Sequence, residues 1–181
     1  MSTPQTENQT TQQDEKIVVV TKPKWWRGTR GEWYVIAQEI FGLLVFLGPR
    51  TYSGLPAWPS FIVPIASVIG KIFAVVGILL LIAGIITLGK NLTPLPYPKE
   101  NSELVEKGPY RFVRHPIYSG VIILTLGYAL IVHGWLTLLY VALLFIFFDL
   151  KARKEEQWLR EKFSNYTAYS QRVSRLIPYI Y

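Results

Sequence analysis

The sequence predicts an all-α integral membrane helical bundle of about four transmembrane helices, with cytoplasmic helices at its C-terminal end. Three observations lead there. Half of the residues are hydrophobic. Only 17% are charged, against roughly 25% in soluble domains. The charge is also segregated, with no Asp or Glu between Glu39 and Glu100 and none between Glu106 and Asp149. Acid-free apolar tracts of that length belong in a bilayer, where a carboxylate at mid-span costs about 2.5 kcal/mol or more.

At 181 residues the chain has room for one bundle and no second core. Its net charge of +7 lies on basic residues that flank apolar runs instead of forming a patch. That pattern reads as membrane topology and attraction to anionic headgroups, not as a nucleic-acid surface. The absence of cysteine excludes disulfides, thiolate metal sites and a thiol nucleophile.

In chain order, MSTPQTENQTTQQDEK is Thr/Gln/Asn-rich and lacks the apolar segment of a secretory signal. Residues 1–22 are expected to be a disordered polar tail, and 23–181 the membrane domain. The first apolar stretch, residues 33–48, is interrupted by Glu39 and is marginal for a span, which needs about 20 residues. It begins as early as Trp25 or tilts little. The next segment, TYSGLPAWPSFIVPIA, carries Pro56, Pro59 and Pro64 and reads as an interfacial or re-entrant connection.

The second stretch, residues 67–89, and the third, 117–134, are long enough to cross. The fourth, 135–148, is long enough only if its helix continues into DLKARKEEQWLREKF. Lys22, Lys24, Arg27 and Arg30 precede the first stretch, and Lys90, Lys99, Lys107, Arg111 and Arg114 fill the connection between second and third. The HGW turn between third and fourth has no Lys or Arg, whereas Lys151, Arg153, Lys154, Arg160 and Lys162 follow. By the positive-inside rule both termini are cytoplasmic. Trp25, Trp26, Trp33, Trp58 and Trp135 sit at span ends, as an aromatic belt does.

So short a turn forces an antiparallel hairpin, which brings Arg111–Tyr118 close to Asp149–Glu156 at one membrane face. The meeting point holds positive charge from Arg111, Arg114 and Lys151 and negative charge from Glu155 and Glu156. Tyr110, His115 and Tyr118 add rings, and Gly108, Pro116 and Gly120 allow close backbone approach. Such a set suits a zwitterionic ligand with a ring system. A single nearby histidine argues against metal catalysis. The bland readings are that the Arg and Lys residues are topology signals and that Glu156 and Arg160 form a solvated i,i+4 pair.

The runs LVEKGPYRFVRHPIYSG and EEQWLREKFSNYTAYSQRVSRLIP resemble the isoprenylcysteine carboxyl methyltransferase and phospholipid methyltransferase superfamily. The resemblance covers residues 90–181. It implies methyl transfer from S-adenosylmethionine to a lipophilic acceptor at the cytoplasmic membrane face, with membrane lipids as partners. The implied cofactor pocket comprises Ser102, Glu103, Leu104, Val105, Tyr110, His115, Pro116, Ile117, Tyr118 and Glu155. Near the acceptor the resemblance implies Arg114 and a basic residue one turn before the glutamate, here Lys151. Glu156 either orients an amine acceptor or holds Arg114.

Elementary chemistry agrees in kind. Aromatic faces attract a sulfonium, and an in-line displacement needs mainly proximity and alignment. The prenylcysteine enzymes carry arginine where this chain has Lys151, so the bidentate fork that recognises a carboxylate is missing. RHPIY and RVSRLIPYIY also resemble the C-terminal part of NADPH-binding membrane sterol reductases. Those generally have Asn at the position of Ile117 and tryptophans around Pro109–Tyr110. A third alternative is a non-catalytic membrane protein that retains the scaffold.

Overall fold

A computed structural model describes residues 31–180. The expected polar tail over 1–22, the basic residues up to Arg30, and Trp25 and Trp26 lie outside the described residues. Among the described residues the chain is helical, with α1 (Glu32–Leu47), α2 (Ile62–Leu88), α3 (Pro116–Val132), α4 (Trp135–Lys162) and α5 (Tyr166–Arg172). There is no strand among them, only an isolated parallel bridge between Val113 and Ser174.

One boundary differs from the sequence reading. α2 starts at Ile62 and takes in Pro64, which was expected to lie in an irregular connection. A proline in the first turn removes an N–H that has no partner one turn back, so the helix loses nothing by starting there. The N–H groups of Ile62 and Val63 instead donate to the Pro59 carbonyl at 2.9 and 3.3 Å. α4 does continue through the charged segment to Lys162, as its span length required. By length and composition, α2 (with its 3-10 extension to Asn91) and α4 are long and apolar enough to cross a membrane. α3 is a shorter apolar helix of 17 residues.

α2 and α3 pack backbone against backbone. Gly70, Gly77 and Gly84 are buried along one face of α2. Opposite them, a Cβ on Gly127 would lie 2.6 Å from both Ala74 N and Gly70 O, and one on Gly120 2.7 Å from Leu81 N. Hydrocarbon offers no hydrophobic drive to pair helices, so close approach through small residues supplies the dispersion contact. α1 packs instead on α4, where Phe41 and Phe147 have ring centroids 5.2 Å apart. Val45, Ala129, Val141, Leu144 and Phe148 form the buried core joining α1, α3 and α4.

The HGW turn closes α3 onto α4 with His133 in the left-handed region at φ 52°. Its ring nitrogen Nε2 lies 3.0 Å from Ser67 Oγ, and the Leu136 N–H donates to Arg50 O at 3.0 Å. At the opposite end the chain after α5 runs back along the start of α3. The Arg114 and His115 N–H groups donate to the Ser174 and Arg175 carbonyls at 2.8 and 3.2 Å. Ser119 Oγ donates to Leu176 O at 2.7 Å.

Candidate active site

A cavity of about 330 Å³ opens where α1, the end of α2, the start of α3, α4 and α5 converge. The 91–105 connection forms its remaining wall. Of the residues singled out in the sequence, Ser102, Glu103, Leu104, Val105, Tyr110, Arg114, His115, Ile117, Tyr118, Lys151 and Glu155 line it. Pro116 and Glu156 do not.

One wall is a stack. The His115 ring lies parallel to Tyr118, 5.2 Å between centroids and 2° between planes, and Tyr118 stacks on Phe148 at 4.8 Å. The Tyr118 hydroxyl donates to Glu155 Oε2 at 2.7 Å. His115 bridges the two glutamates, with Nδ1 3.8 Å from Glu155 Oε2 and Nε2 3.3 Å from Glu156 Oε1. Lys151 Nζ sits over the Tyr118 ring, 5.1 Å from its centroid. That ammonium donates to Gln38 Oε1 at 2.7 Å and Pro94 O at 3.4 Å.

Behind this wall lies a closed ion cluster. Glu156 is fully buried. Its Oε1 accepts from Arg114 Nε at 2.9 Å and Arg175 Nε at 3.1 Å, and its Oε2 from Arg160 Nη2 at 3.2 Å. Glu156 contacts Arg114 through both Nε and Nη2. The Arg160 contact is the i,i+4 pair read from the sequence, but its carboxylate is buried, not solvated. Arg114 is largely committed as well. Its Nη1 donates to the carbonyls of Ser170, at 2.8 Å, and Val173, and its Nη2 lies 2.9 Å from Glu156 Oε1.

The phenol of Tyr110 is raised well above its ordinary range by burial first and then by the Glu155 and Tyr169 neighbours, so it stays a neutral O–H. Its carbonyl accepts from the Tyr169 hydroxyl at 2.7 Å, which fixes the GPY turn against α5. Burial also raises Tyr166 and Tyr169. For Arg175, burial opposes the charge, but the hydrogen bonds to Glu156 and Asp149 outweigh it and raise the guanidinium.

The 99–105 segment is laid across the cavity by its backbone. Asn91 pairs with Glu103 like a peptide group, Nδ2 to Glu103 O at 3.1 Å and Glu103 N to Oδ1 at 3.3 Å. Lys162, at the end of α4, donates to Glu100 O at 2.7 Å and Ser102 Oγ at 2.9 Å. The Glu103 carboxylate itself is exposed and paired with Lys90 at 3.1 Å.

Several site residues escaped the sequence reading. Gln38 stands alone on an apolar helix, and nothing local marks it as a partner of Lys151. Arg175, Tyr166 and Tyr169 lie within the run EEQWLREKFSNYTAYSQRVSRLIP, whose resemblance marked the segment but not their contacts. Asn91 gave no signal. Together the site offers stacked rings, neutral phenols, one partly exposed carboxylate and a buried ammonium. No group of three or more His, Cys, Asp or Glu suited to a metal occurs among the described residues.

The family model described as Phospholipid methyltransferase matches residues 65–166. Among curated proteins, the chain is 30% identical over 115 residues to Protein-S-isoprenylcysteine O-methyltransferase B of Arabidopsis thaliana, covering 61% of this chain and 58% of that protein. It is 33% identical over 121 residues to Protein-S-isoprenylcysteine O-methyltransferase of Saccharomyces cerevisiae, covering 61% and 51%. To Methanethiol S-methyltransferase 1 of Bradyrhizobium diazoefficiens it is 37% identical over 93 residues, covering 51% and 30%. The chain thus spans less than two thirds of the length of the curated relatives it matches.

Proposed function

The chain belongs to the phospholipid methyltransferase family, and we propose that it transfers a methyl group from S-adenosylmethionine to a lipophilic acceptor. The acceptor is an isoprenylcysteine-type carboxylate or a lipid. Residues 23–181 form one membrane domain, in which α1 to α4 all cross the bilayer. Both termini and the cavity mouth face the cytoplasm, consistent with the basic residues between Lys90 and Arg114 and after α4.

The observation that carries this reading is the Tyr118–Glu155 bond beside the stacked His115 ring on the cavity wall. When bound, S-adenosylmethionine supplies an electrophilic methyl group on a sulfonium. The lining suits that molecule in charge. Glu155 Oε2 is taken by Tyr118, which leaves Oε1 to accept from an ammonium group. The neutral Tyr110 ring on the cavity lining offers a cation an aromatic partner. The backbone of Ser102, Glu103, Leu104 and Val105, with His115 and Ile117, closes the remaining wall. Pro116 acts from outside the cavity by setting the first turn of α3.

The protein's contribution is alignment and exclusion of water, which suffices for an in-line displacement. Lys151 gives the acceptor end of the cavity its positive charge. Arg114 and Glu156 act as positioning residues that lock the 170–177 segment over the start of α3. Calorimetry on the detergent-purified chain tests the reading. S-adenosylhomocysteine is expected to bind and NADPH not to. Binding of NADPH without S-adenosylhomocysteine would establish the reductase alternative instead.

A further inference from the structure

We propose that Gln38 is an acceptor-binding residue, held in its donor orientation by Lys151, and that it takes an anionic oxygen of a lipophilic ligand. This rests on the methyl-transfer reading above and names a contact which that reading lacks.

The orientation of Gln38 follows from elementary hydrogen-bond chemistry. Lys151 Nζ lies 2.7 Å from the Gln38 amide. An ammonium only donates, so the amide atom facing it is the oxygen, and a flip would oppose two donors. The Nε2 amine therefore projects away from Lys151. Gln38 lines the cavity, and no described residue accepts from that amine. It is not a sealed-off donor either: the buried polar atoms left without a partner among the described residues are Trp58 Nε1, Thr137 Oγ1 and Tyr166 Oη. Among the described residues the amine is thus unpartnered and not sealed off, and the Lys151 contact sets its direction.

The chemistry of the ligand follows from what surrounds it. Lys151 is 1% exposed, so its charge is desolvated and polarises the amide it touches, which favours an anion at the far side. Its ammonium lies over the Tyr118 ring, whose hydroxyl donates to Glu155. Arg114 cannot serve as the oxygen-binding fork, because its Nε and Nη1 donate to Glu156 and to two backbone carbonyls. Ile85, Leu88, Val121 and Phe148 line the same cavity and suit a hydrocarbon chain. An anionic oxygen on an apolar tail is the ligand that satisfies both walls. Lys151, being nearly occluded, acts through Gln38 and is a positioning residue.

The test uses the full chain in detergent micelles with three probes: S-adenosylhomocysteine, a farnesyl thioether carboxylic acid, and farnesol. Wild type is expected to bind the acid more tightly than the alcohol. Gln38→Leu, and independently Gln38→Glu, which keeps a partner for Lys151 but removes the donor, should weaken the acid about tenfold. Both should leave farnesol and S-adenosylhomocysteine within twofold of wild type. Lys151→Arg, which still donates to Gln38, should retain most of the acid affinity, whereas Lys151→Met should lose it. Equal binding of acid and alcohol by wild type would overturn the proposal, as would unchanged acid affinity in both Gln38 variants. Failure of wild type to bind S-adenosylhomocysteine would instead overturn the methyltransferase reading.

Discussion

The Tyr118 hydroxyl donates to Glu155 Oε2 at 2.7 Å and so ties the first turn of α3 to the C-terminal half of α4. The same ring is stacked between His115 and Phe148, so the hydroxyl has little freedom to point elsewhere. The carboxylate is thereby held on the cavity wall with one oxygen engaged. A charge-assisted bond of this kind contributes about 1.5–3 kcal/mol.

Tyr118→Phe keeps the stack and removes only that bond. Its Glu155 carboxylate is then free to rotate into solvent. S-adenosylhomocysteine affinity is expected to fall roughly tenfold, with the helical circular dichroism unchanged. Unaltered affinity by calorimetry would mean that Glu155 needs no such restraint.

The buried Glu156 gathers Arg114, His115, Arg160 and Arg175. Neutralising it leaves several cations packed around an amide, a change that costs about 3–5 kcal/mol when a buried pair is broken. Glu156→Gln is therefore expected to lower the thermal midpoint in detergent sharply. Arg160→Ala should do far less, since that side chain is 44% exposed and an exposed i,i+4 partner is worth about 0.3–0.5 kcal/mol.

The α2–α3 contact gives a contrast between two glycines. Gly127→Ala places a methyl 2.6 Å from Ala74 N and Gly70 O. Backbone atoms cannot rotate aside, so the helices must separate, at an overpacking cost of about 1–3 kcal/mol. Gly42→Ala on α1 meets nothing within 4 Å and should be neutral or stabilising by roughly 0.5–1 kcal/mol. Unfolding midpoints of the two variants in one detergent check the difference in sign.

The pairing of Val113 with Ser174 can be trapped, because the chain contains no cysteine. The double variant Val113→Cys, Ser174→Cys is expected to form an intramolecular disulfide under mild oxidation. Its signature is a gel shift that reductant reverses. The neighbouring pair Val113→Cys, Ile177→Cys serves as the control and should react less.

The order of the helices was legible in the sequence because burial in a bilayer writes itself into composition. Acid-free runs and the lone HGW turn were each read correctly from residue type and spacing, and the structure meets the condition set for the fourth stretch by extending α4 to Lys162. The meeting of RHPIY with the Lys151–Glu156 segment followed from the short turn alone. Pro64 misled, since its cost depends on its position within the turn and not on its presence. Gln38 was invisible, because one polar residue on an apolar helix carries no periodic signal.

The sequence by itself therefore determined the helical membrane class, the family, and the two segments that build the cavity. Tertiary structure alone decided which charges face the ligand and which face each other. Glu155 and Glu156 are adjacent and chemically identical, yet one lines the cavity and the other is sealed among arginines. Successive residues on a helix point about 100° apart. What each direction meets depends on α1 and the start of α3, distant in the chain, and on α5 and the 170–177 segment, which folding turns back against α4.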